Sequence, residues 1–116
     1  MAASNSPRVR LLHIRDEIDG MAAAVHGLTF IEYQGSYTLR RAAERAVQII
    51  SEAAKALPSE LLDRYPGPPW DAVIGIGNVL RHEYQRIEDR RIWEIVTVHL
   101  PQMRPVIAAM LADLEQ

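Results

Sequence analysis

The chain has 116 residues, 48% of them hydrophobic, and a formal net charge of −2. That length suits one domain with a real core and argues against wholesale disorder, although so small a core gains from association with a second copy. The mild acidity argues against a generic polyanion binder, so any contact with nucleic acid has to be local or pooled across two copies. There is no cysteine. The fold therefore uses no disulfide, thiolate metal site or thiol nucleophile, which fits a cytoplasmic setting. No run of about 18 or more apolar residues is visible, so no membrane-spanning helix is expected. Residues 1–7 lack the basic and apolar regions of a signal peptide.

Ser6-Pro7 reads as a helix start, with Ser6 as N-cap and Pro7 at the first helical position. Leu11, Ile14, Ile18, Met21 and Val25 then form one apolar stripe at steps of three and four, and Gly27 marks the helix end. Thr29 to Ser36 reads as irregular. Ser36 caps a second long helix whose stripe is Leu39, Ala43, Ala46, Ile50, Ala53 and Leu57, stopped by Pro58. Ser59 to Arg64 reads as one or two short turns, and residues 65–69 (Tyr-Pro-Gly-Pro-Pro) as a rigid break. A third helix is expected from about Trp70 to Tyr84. A fourth begins at Asp89 and carries Ile92, Ile95, Val96 and Leu100. Pro101 and Pro105 predict either a kink in it or two consecutive helices. The whole reads as an all-α antiparallel bundle of four to five helices, one domain over residues 1–116, with no internal repeat.

On a helical wheel, Trp70, Val73, Ile74, Leu80 and Tyr84 share a broad apolar arc. Asp71, Gly75, Asn78 and His82 share a neighbouring polar strip, and Arg81 sits between the two. His82 is able to exchange a proton near neutral pH. Asn78, one turn earlier, is placed to orient that imidazole or to bond a phosphate oxygen. Arg81 is suited to neutralising charge developing on a phosphate. Gly75 is expected to allow close approach of a backbone or ligand. From periodicity alone, the plainer reading of His82 is a polar surface residue or cap, and of Tyr84 a partly buried packing residue. Arg40, Arg41 and Arg45 make a basic patch on the second helix, which reads first as solvated surface. His13, His26 and His99 are scattered, show no metal-ligand spacing and receive no role. No metal site or cofactor is expected.

Residues 76–84 (Ile-Gly-Asn-Val-Leu-Arg-His-Glu-Tyr) resemble the signature of the HepT-like branch of the HEPN superfamily: an arginine, a polar residue, a spacer and His-x-Tyr. Asn78, His82 and Tyr84 match it. Further similarity lies in Ile-Ser-Glu-Ala-Ala (residues 50–54), Pro69-Trp70, Ile92-Trp93 and Leu100-Pro101, so it extends over about residues 8–114. The resemblance implies a helical HEPN domain that forms homodimers. It also implies a metal-independent RNase toxin whose antitoxin partner is an MntA-like nucleotidyltransferase. In that family the partner silences the toxin by attaching AMP to the tyrosine of the motif, which carries over to Tyr84. The family's leading arginine corresponds to Gly77 here, and Arg81, one turn on, is a candidate to reach the same volume. Glu52, in the Glu-Ala pair of the second helix, is a candidate to pair with Arg81.

The expected chemistry is attack of the RNA 2′-hydroxyl on the adjacent phosphate. His82 acts as acid or base, Arg81 stabilises charge and Asn78 positions. The alternative is a catalytically silent HEPN subunit that binds, or is modified by, a nucleotidyltransferase, a reading favoured by Gly77. A third reading is a purely structural bundle that dimerises.

Overall fold

A computed structural model describes residues 6–115, with the side chain of Tyr84 outside that description. Every regular element among the described residues is helical. Helix α1 (Pro7–Val25) opens as its sequence requires: the Ser6 hydroxyl accepts from the Val9 amide at 3.2 Å. It buries Leu11, Ile14, Ile18, Met21 and Val25. Gly27 follows with φ 75°, the left-handed conformation that ends helices cheaply only in glycine.

The segment expected to be irregular contains a short helix, α2 (Phe30–Gln34). Its cause is a reciprocal cap. The Thr29 hydroxyl accepts from the Glu32 amide at 3.2 Å, and the Glu32 carboxylate accepts from the Thr29 amide at 2.9 Å. Tertiary packing completes it. Tyr33 is fully buried, and the Tyr33 and Phe30 rings stand 5.1 and 6.2 Å from that of Trp93.

Helix α3 (Tyr37–Lys55) is capped by Ser36, whose hydroxyl accepts from the Leu39 amide at 3.1 Å. It packs against α1 on one side and α5 on the other, so its alanines and Ile50 lie at the centre of the fold. Helix α4 (Ser59–Asp63) is one short turn that buries Leu61 and Leu62. Helix α5 (Trp70–Glu83) follows the proline break, and Tyr84–Arg86 tighten into a 3₁₀ turn.

Helices α6 (Asp89–Glu94) and α7 (Leu100–Leu114) are joined without a break by a π-helical turn, Ile95–His99. The interruption expected at the prolines is thus a wide turn immediately ahead of Pro101, which has no amide hydrogen to donate. The Thr97 hydroxyl also donates to the Trp93 carbonyl there, at 2.7 Å. The joined helix, Asp89–Leu114, is long and apolar enough to cross a bilayer by length and composition, contrary to the expectation from the sequence. In this fold its apolar side belongs to the core: Ile92, Ile107 and Met110 are almost wholly enclosed. Arg104 ties it to α1 through Asp19 at 2.8 Å and holds that carboxyl below its ordinary pKa.

Candidate active site

The site begins with how α5 is held. The Trp70 indole donates to the Tyr65 carbonyl at 2.8 Å, and the Val73 amide donates to the Pro69 carbonyl at 2.9 Å, which fixes the helix start on the proline break. Leu80 is buried further along. Between them, Gly77 lies against Ser51 of α3. A Cβ built at Gly77 would overlap the Ser51 hydroxyl and stand 2.6 Å from the Ser51 Cβ. The Ser51 hydroxyl donates to the Ile74 carbonyl at 2.7 Å, and Ser51 is itself buried. One hydroxyl and one missing side chain therefore set the register of α5 on α3.

At Gly75 a Cβ would meet nothing within 4 Å, so that position stands open; the close approach within the chain is at Gly77. The two glycines are adjacent in the pattern Gly-x-Gly, and only the opposing small residue, Ser51, separates their roles. Periodicity does not single out Ser51, because it stands beside the apolar stripe of α3 and not in it.

From this anchor the site residues follow in order. Asp71, Gly75, Asn78 and His82 are all exposed, so the polar strip exists as a solvent-facing line. Asn78 and His82 stand one turn apart on it, and among the described residues neither makes a side-chain hydrogen bond. Arg81 lies over α3, where its guanidinium is 3.8 Å from the carboxylate of Glu52, the residue after Ser51. Both side chains are close to half exposed, so the pair contributes little, about 0–1 kcal/mol, and yields readily to a phosphate. The volume a side chain at residue 77 would enter is filled by Ser51, whereas Arg81 turns to the rim. The backbone of Tyr84 begins the 3₁₀ turn two residues after His82, and the side chain proposed as AMP acceptor lies outside the described residues. Among the described residues, no three of the histidines and carboxylates gather as a metal would need.

Two concavities flank α5. One is a polar hollow of about 460 Å³ between α3 and Leu80. The other is a larger apolar groove of about 620 Å³, lined by Val47 and Ile50 of α3, Ile76 and Val79 of α5, and Ile95 and Met103 beyond. Arg91, His99 and Gln102 line it too, and Gly75 lies at its edge.

The family model described as ribonuclease HepT-like matches residues 14–110, a span that contains every residue of this site. The chain belongs to the ribonuclease HepT-like family. Among its relatives is a protein of Caldanaerobacter subterraneus subsp. tengcongensis named "Putative RNase", 32% identical over 91% of this chain and 95% of that protein. A Methanocaldococcus jannaschii protein of the same name is 28% identical over 93% of this chain and 89% of its own length. A "Probable ribonuclease HepT" of Thermococcus cleftensis is 30% identical over 52% of this chain and 54% of its own. No solved structure matches the chain significantly. Gly77, within the matched span, is a packing position occupied by Ser51 of α3.

Proposed function

We propose that the chain is a metal-independent endoribonuclease of the toxin type, acting on RNA in the cytoplasm. What carries the reading is the exposure of Asn78, Arg81 and His82 on one rim of α5, in a member of a ribonuclease family. In the step we assign, the 2′-oxygen bonds to the adjacent phosphorus and the bond from phosphorus to the 5′-oxygen breaks. The His82 imidazole takes the 2′-hydroxyl proton, and the 5′-oxygen leaves with a proton from water. Arg81 leaves Glu52 to meet the charge that grows on the phosphate oxygens. Asn78 positions the imidazole or the phosphate. Glu52 supports Arg81 between turnovers.

Two partners complete the proposal. A second copy of the chain would sit on the apolar groove beside Gly75, where no Cβ obstructs approach, pairing two sites and their arginines. An MntA-like nucleotidyltransferase would act as antitoxin. Transfer of AMP from ATP joins the Tyr84 phenol oxygen to the α-phosphorus and releases pyrophosphate. The product places a bulky anion two residues from His82, which repels RNA.

The alternative is a silent subunit that only binds or accepts AMP, favoured by the glycine at residue 77. The ends of the RNA fragments separate the two. Cleavage by the proposed route leaves 2′,3′-cyclic phosphates and spares DNA, and toxicity of a Tyr84→Phe chain persists beside the active nucleotidyltransferase. Fragments with 5′-phosphate ends, or full silencing of Tyr84→Phe through AMP transfer, would refute the assignment.

A further inference from the structure

The polar hollow beside Leu80 is formed by residues the cleavage step does not use: Tyr37, Arg41, Glu44, Arg45 and Gln48. Tyr37, Arg41, Arg45, Gln48 and Glu52 recur at steps of four, four, three and four, so they make one stripe of α3. That stripe ends at Glu52, where Arg81 of the site is already engaged. From Glu52 to Tyr37 it runs about 22 Å at 1.5 Å per residue.

Its chemistry is uneven in an informative way. Tyr37 is 66% exposed, so its ring is open to a partner. The guanidinium of Arg41 stands 5.0 Å from its ring centroid and that of Arg40 6.0 Å. Arg41 is held by both carboxylate oxygens of Glu44, at 2.8 and 2.9 Å. Arg45 instead meets a neutral amide, the Gln48 oxygen at 3.3 Å, and has no carboxylate partner among the described residues. An exposed ring among guanidinia, followed by an uncancelled cation over a hollow, suits unpaired bases and their phosphates.

We propose that this stripe is a docking track for single-stranded RNA that leads into the site at Arg81. Tyr37 stacks a base, and Arg45, free of a carboxylate among the described residues, holds a backbone phosphate. The proposal rests on the ribonuclease reading, since the track serves to bring the strand to His82. A chain with net charge −2 then binds RNA through a local path, not through its overall field.

The test uses the His82→Ala chain, so that RNA is bound and not consumed. Fluorescence anisotropy is read with a labelled single-stranded oligoribonucleotide of mixed sequence over a range of salt. Tyr37→Ala is expected to weaken binding about tenfold, and Tyr37→Phe to restore it, because the ring and not the hydroxyl stacks. Arg45→Ala is expected to lower the slope of log affinity against log salt by about 0.7, the loss of one phosphate contact on a single strand. Arg15→Ala, the same charge removed from α1, is expected to change nothing. Unchanged affinity in Tyr37→Ala and Arg45→Ala would overturn the track and leave this face to an acidic protein partner. An equal loss in Arg15→Ala, or no RNA binding by the His82→Ala chain, would overturn it too. A parent chain that cuts RNA while the variants bind normally refutes the track alone. A chain that cuts nothing, yet loses RNA binding with Tyr37, refutes the nuclease alone.

Discussion

Gly77 is the residue on which the site and the fold meet. An alanine in a helix interior ordinarily gains about 1 kcal/mol over glycine. Here the new methyl would run into the Ser51 side chain, which is rooted in α3 and bonded to the Ile74 carbonyl. Overpacking of this kind costs about 1–3 kcal/mol, so the clash wins. Gly77→Ala is expected to lower stability in denaturant unfolding, and Ser51→Gly in the same chain to recover part of the loss. A Gly77→Ala chain as stable as the parent would show that α3 and α5 shift apart freely. The same geometry bears on how much of the site was legible. Asn78, Arg81 and His82 are legible because a polar strip on an amphipathic helix has to face solvent. The role of Gly77 is not, because it depends on Ser51, a residue 26 positions earlier that only the fold brings alongside.

At the scale of elements, the long helices follow from their apolar periodicity and caps, and Ser6, Ser36, Gly27 and Pro58 act where the pattern puts them. Helix α2 has its Thr29/Glu32 cap but no periodicity to announce it, and at five residues it also needs its contact with Trp93 of α6. Tyr33 makes that contact at a cost. Its hydroxyl is buried without a partner among the described residues, and burial pushes its pKa up to about 12. The unfolded chain ionises this group near pH 10, so stability is full below that pH and falls as pH rises toward 12. Tyr33→Phe removes the unpartnered hydroxyl and keeps the ring. It is expected to match or exceed the parent by up to about 1 kcal/mol at pH 7 and to flatten the alkaline fall. A loss of more than that would mean the hydroxyl has a partner after all. The π turn ahead of Pro101 was also beyond the sequence, since prolines announce a disturbed ladder but not which turn absorbs it.

For the molecule as a whole, the apolar groove of about 620 Å³ beside α5 is left uncovered by a single chain. A core of this size gains by covering it, and the open position at Gly75 marks where a second backbone has room. Val79 is only partly buried and lines the groove, so a charge there interrupts association more than folding. Val79→Asp is expected to convert the proposed dimer to a helical monomer, read by light scattering and circular dichroism. A dimer that survives Val79→Asp would move the interface to another face. The proposed association would also decide whether two arginine-bearing rims share one cleft.

That His82 drives metal-independent RNA cleavage is tested by incubating purified protein with mixed cellular RNA in EDTA beside His82→Ala. Intact mass is measured first, so that AMP already on the chain is not mistaken for inactivity. Cleavage is expected to survive EDTA and to disappear with His82→Ala. No cleavage by verified unmodified protein, or cleavage that His82→Ala retains, would contradict it.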